Sequence, residues 1–258
     1  MLWAFAYFFC LLAGYYILRP LRDEMGVAGG VRNLQWLFTA TFLAMLAAVP
    51  LYGALVARLP RRRFIPLVYH FFAANLALFW LLLTLDFERQ AVARVFFVWV
   101  SVFVLFAVSV FWSFMADLFS SEQGKRLYGF IAAGGSAGAL AGPALTIGLA
   151  GPLGTTNLLL VAGLLLELAV FCALRVEGGS ESPAKAPPLG GGPFDGLLMV
   201  LRSPYIAGIT LWVSLLSIAA TFLYFEQARI VAEHSSDPAV RTRIFAGVDL
   251  AVGVLTIA

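Results

Sequence analysis

The chain has 258 residues, 62% of them hydrophobic and only 12% charged, with a mean hydropathy of +0.93. A soluble domain carries charge on about a quarter of its residues, so this composition excludes a water-soluble globular protein and an enzyme that works in water. The net charge of +3 does not indicate nucleic acid either, because the arginines stand in short clusters between apolar runs and not along one solvated face.

A helix rises 1.5 Å per residue, so about twenty apolar residues cross about 30 Å of hydrocarbon. Runs of that order, bounded by charge or by Gly and Pro, predict spans at 2–18, 34–56, 64–85, 95–115, 127–149, 158–174 and 206–225, and an eighth run begins at 248. The first lacks a basic leader and a small-residue cleavage site, so it reads as an uncleaved helix. The last run is cut short at 258, so the sequence is expected to be part of a longer chain. The predicted fold class is an all-α polytopic membrane protein.

Most connections are short, which makes neighbouring helices antiparallel. The exception is 175–205, with Pro183, Pro187, Pro188 and the glycines 190–192. This composition predicts a linker between a six-helix bundle at 1–174 and the start of a second bundle at 206–258, with an interfacial apolar stretch at 194–201. With the N-terminus in the cytoplasm, nine basic residues fall inside and eight outside, so totals alone do not orient the chain. The density of Arg58, Arg61, Arg62 and Arg63 in one short loop favours that orientation, and a bacterial-type inner (cell) membrane is the expected location.

Ionisable groups within spans carry the most functional weight, since one at the bilayer centre costs about 2.5–3.5 kcal/mol on insertion scales and usually faces a polar path or a partner. Glu167, flanked by apolar neighbours, requires a partner, a proton or a polar cavity, and lining a cavity is the expectation. Glu226, Arg229, Asp249, His70 and Asn75 are further candidates, with snorkelling to the interface the alternative near helix ends. Arg19, Arg22, Asp23 and Glu24 close the first predicted span, as an interfacial cluster or as groups facing a cavity. On the fifth span, Gly134, Gly138 and Gly142 repeat every four residues, followed by Pro143, and leave a face where another helix can approach closely. Cys10 and Cys172 lie in apolar runs without ligand spacing and read as small buried hydrophobes.

The loop after the second span, Gly53-Ala-Leu-Val-Ala-Arg58-Leu-Pro-Arg61-Arg62-Arg63, resembles the signature loop of the major facilitator superfamily. Ala57 stands in place of its Asp and Pro60 in place of its second Gly. A plain positive-inside cluster is the other reading. Gly138 to Pro143 resembles part of the fifth-helix motif of facilitator antiporters, with ordinary helix packing as the alternative. Two further stretches, Tyr16-Ile-Leu-Arg19-Pro-Leu-Arg22-Asp23 and Phe111-Trp112-Ser-Phe114 with Glu122-Gln-Gly-Lys125-Arg126-Leu-Tyr128, resemble the nucleotide (ATP/ADP) exchange transporters. That resemblance implies twelve helices, alternating access and an anionic substrate, with Arg22 gripping phosphate oxygens. The acid expected in the fourth span is absent from 95–115, and Glu226 stands near the one expected in the seventh.

The expectation is therefore a secondary transporter, exchanging nucleotides or another anionic solute, with Arg19, Arg22, Asp23, Glu167 and Glu226 as substrate-site candidates. A facilitator of a different small solute and a non-transporting accessory membrane protein are the alternatives. Enzyme signatures such as His-Glu-x-x-His and Gly-x-Ser-x-Gly do not occur, and no metal, haem or dinucleotide cofactor is implied.

Overall fold

The computed structural model describes residues 1–58, 61–119, 121–177 and 202–257. Every regular element among them is helical: α1 (Leu2–Ala28), α2 (Leu34–Arg58), α3 (Arg61–Thr84), α4 (Arg89–Leu118), α5 (Ser121–Leu149), α6 (Leu158–Glu177), α7 (Pro204–His234) and α8 (Pro238–Ile257), with a 3-10 turn at Val31–Asn33 before α2. The first seven are long and apolar enough to cross a bilayer. Helix is the structure expected there, because it satisfies every backbone polar group within the segment itself.

Several boundaries differ from the predicted spans, for one physical reason. The span rule stops at charge, whereas a helix continues past it wherever its charges reach water or find partners. So α1 does not end at Leu18 but passes through Pro20 to Ala28, α4 starts at Arg89 instead of 95, and α5 starts at Ser121 instead of 127. Likewise α7 continues past Phe225 to His234, and α8 begins at Pro238, ten residues before the predicted start. The turn after α1 needs a glycine: Gly30 has φ +95°, a region other residues avoid. Most of the predicted linker, with its interfacial stretch at 194–201, lies outside the described residues. The same holds for the side chains of residues 51–63, and so for the signature-loop assignment to Gly53, Arg58, Arg61 and Arg62.

Helix α1 is the axis of the assembly. It packs most extensively on α5 and α6, then on α4 and α8, while α3 packs on α6 and α4, α2 on α4, and α5 on α8. Around the first half of α1 the core is aromatic. Phe8 stacks on Phe111 with ring centroids 4.1 Å apart, and Tyr7 meets the same ring edge-on at 4.8 Å. The Tyr7 hydroxyl donates to the Tyr69 hydroxyl (2.6 Å), which donates to the Ala107 carbonyl (3.0 Å), so buried polar groups of α1, α3 and α4 satisfy one another. A second, smaller apolar cluster joins Val27, Leu34, Phe97, Val231 and Phe245. There the ends of α7 and α8 seat against α1, α2 and α4.

The seam between α1 and α5 is built on glycine. A Cβ at Gly138 would lie 2.5 Å from the Phe9 carbonyl oxygen and 2.9 Å from the Ala13 nitrogen. At Gly134 it would lie 2.5 Å from the Phe5 carbonyl oxygen, and at Gly142 2.6 Å from the Tyr16 Cβ. These obstacles are mostly backbone, which cannot swing aside. Gly148, on the same helix, faces open space. Gly138→Ala should therefore destabilise the detergent-solubilised protein by about 1–3 kcal/mol through overpacking. Gly148→Ala should be neutral or stabilise it by up to roughly 1 kcal/mol. Thermal melts of the two variants measure the contrast, and equal melting points would contradict the seam.

Candidate functional site

The second half of α1 presents Arg19, Arg22, Asp23 and Glu24 within two turns, and α1 is surrounded by helices, so these groups turn inward. Asp23 and Glu24 are buried. Arg22 donates from Nε and Nη2 to Asp23 Oδ1 at 3.0 and 2.7 Å, and its guanidinium lies 5.1 Å from the centre of the Phe97 ring. The Tyr224 hydroxyl on α7 donates to the same Asp23 oxygen at 2.9 Å. Arg241 on α8 donates from Nη2 to Glu24 Oε1 at 2.6 Å. One turn earlier on α1, Arg19 Nη1 stands 3.5 Å from Asp249 Oδ1 on α8. Three polar links thus run from α1 to α7 and α8, and three arginines face three carboxylates.

The links differ in strength. A separation of 2.6 Å is a short charge-assisted hydrogen bond, whereas 3.5 Å lies beyond ordinary N–H···O range. The Arg19 side chain remains 37% exposed and borders a cavity of about 370 Å³ between α1, α5 and α8, together with Tyr16, Ser136, Asp249 and Thr256. Its guanidinium also lies 5.8 Å from the Tyr16 ring centre. A second cavity of about 320 Å³ lies at the bundle end among Glu24, Arg89, Gln90, Thr155 and Arg241. Of the two α1 arginines, Arg22 is committed to Asp23, and Arg19 has donors to offer an incoming anion.

The other predicted site residues lie elsewhere. Glu167 is not next to these arginines: its Oε1 is 2.9 Å from His70 Nδ1, between α6 and α3, and this pair faces outward. Glu226 is 66% exposed on α7, 3.9 Å from Arg229. Gly134, Gly138 and Gly142 form the α1 seam described above, with Pro143 buried directly after it. Arg241 and Tyr224 were not singled out from sequence. The available signal was spacing: Arg241, Phe245 and Asp249 recur every four residues, which places two charges near one face of a helix once α8 is extended back to Pro238.

The Glu24–Arg241 pair is well buried, with side chains 7% and 12% exposed, and among the described residues Arg241 Nε has no hydrogen-bond partner. Removing the acid strands a buried cation, an effect of about 3–5 kcal/mol. Glu24→Ala should lower the thermal melting point sharply, and Glu24→Ala with Arg241→Leu should recover much of it. A double variant no more stable than the single would show that the pair does not act as a unit.

Comparison with known proteins bears on the family. The family model described as Major Facilitator Superfamily matches residues 1–255, and no curated protein and no solved structure matches the chain. With nearly the whole length matched and seven apolar spans packed around α1, this integral membrane protein belongs to the major facilitator superfamily.

Proposed function

We propose that the protein is a secondary transporter that works by alternating access and carries a small solute with an anionic group, which Arg19 receives. The observation that carries this reading is the loose Arg19–Asp249 pair on the cavity between α1, α5 and α8. An anion entering there replaces a weak ion pair with a charge-assisted hydrogen bond to the same guanidinium. The tighter links of α1 to α7 and α8 lie toward one end of the bundle. Breaking and remaking such links between a first bundle (1–174) and a second (from 206), joined by 175–205, is how rocking would open the site to either side. The proposed setting is the cell membrane with the N-terminus in the cytoplasm, supported by the arginine-dense loop between α2 and α3.

Nucleotide exchange is the narrower form of this reading. It rests on the resemblance at Tyr16 to Asp23 and at Phe111 to Tyr128, and the phosphates would meet Arg19 before Arg22, whose Nε and Nη2 are already bonded to Asp23. The test uses full-length protein in liposomes with labelled ATP, ADP, inorganic phosphate and a small dicarboxylate. Uptake of at least one of these should fall by about tenfold or more in Arg19→Gln, the loss expected when one charge-assisted hydrogen bond is removed. Uptake of other anions without binding of ATP or ADP would remove nucleotide exchange and leave the anion site. Full activity in Arg19→Gln would remove the site itself.

A further inference from the structure

The His70–Glu167 pair plays no part in the proposed transport site, and it is placed where lipid is a poor solvent for it. His70 is the tenth residue of α3 and Glu167 the tenth of α6, each about 13–15 Å from its helix end at 1.5 Å per residue. The two helices run antiparallel in fixed register. Gly163 faces Leu76, and Trp80 Nε1 donates to Asn157 Oδ1 at 2.8 Å. The polar pair thus stands inside the apolar stretches of both helices, His70 about two turns past Phe64 and Glu167 at the middle of α6. Its side chains are 55% and 43% exposed, and around it an outward face carries Leu67, Phe71, Leu164 and Leu168. Ionisable groups at this depth almost always face protein or water. Lipid chains offer neither donor nor acceptor, so the outer atoms of this pair require another polar surface.

The chemistry of the pair indicates what that surface is. The pair is uncharged overall either as imidazolium with carboxylate or as neutral imidazole with carboxylic acid. In each arrangement the two outer atoms, His70 Nε2 and Glu167 Oε2, supply one donor and one acceptor. One donor beside one acceptor is self-complementary under a two-fold rotation. We propose that the α3–α6 face joins two copies of this chain in the bilayer, related by a two-fold axis along the membrane normal, with His70 of each copy hydrogen-bonded to Glu167 of the other. The four groups close a ring, and the apolar stripes of α3 and α6 pack on either side of it. Interhelical hydrogen bonds of this kind hold membrane helices together where lipid competes for the apolar faces.

The experiment places a cysteine at Leu164, exposed and within one turn of Glu167, in the full-length protein at low density in liposomes. The native cysteines, Cys10 and Cys172, are buried. Oxidative cross-linking should give a covalent dimer as the main product. Glu167→Leu should cut the dimer yield by about tenfold, the effect of losing the ring's two bonds between copies. The exchange His70→Glu with Glu167→His should restore it, because the swapped pair keeps one donor and one acceptor. If Glu167→Leu fails to fold, His70→Leu with Glu167→Leu supplies the same loss with an apolar face. A chain that stays monomeric, an equal yield without Glu167, or a swap that does not restore the dimer overturns the proposal. A cross-link to a different protein in native membranes with none in liposomes also overturns it.

Discussion

A charge carried into a bilayer has to be neutralised by the protein itself, and the organisation around α1 follows from that requirement. The helix carries two arginines and two acids past the point where its apolar run ends, and it stays helical because each meets an opposite charge or a hydroxyl. Asp23 is bonded by its neighbour Arg22 and by Tyr224, Glu24 by Arg241, and Arg19 by Asp249. Two of the three acids are on α1 itself. The partners from other helices come from α7 and α8, so neutralising α1 is also what brings those helices to it.

The two halves of α1 are held by different physics. Up to about Tyr16 the contact is steric: glycines of α5 admit the α1 backbone, and aromatic rings of α4 fill the opposite side. Beyond it the contact is electrostatic and directional. Close backbone packing has essentially one fit and resists displacement, since moving it would either open a void or force atoms together. Ion pairs have a graded response, and the weakest one borders the cavity. For the proposed anion site, this division means rigidity below and exchangeable partners above.

Much of the fold was legible from apolar run lengths, because a bilayer imposes a length on every crossing helix. The membrane class, the positions of α2, α3 and α6 within a few residues, and Glu167 as a group needing explanation were all readable. The ends of α1, α4, α5, α7 and α8 were not. Pro20 and the charges after Leu18 look like a stop when only local propensity is considered, and the reason they do not stop the helix lies more than two hundred residues away, on Arg241 and Asp249. The partner of Glu167 illustrates the same limit. His70 is ninety-seven positions distant, and no spacing rule connects them. Sequence pattern located the expensive groups, whereas the folded arrangement was needed to say how each is compensated.

Pro20 has one further effect on the mechanics of α1. Lacking an N–H, it leaves the carbonyl of Tyr16 without its helical donor, at the level where the glycine seam ends and the charged half begins. A helix missing one rung is more compliant at that rung than above or below it. The stretch bearing Arg19 to Glu24 is therefore attached to the clamped lower half through a joint that lacks one backbone hydrogen bond. A small tilt there is geared into a sideways travel that grows with distance, carrying Glu24 farther than Arg19 for the same angle.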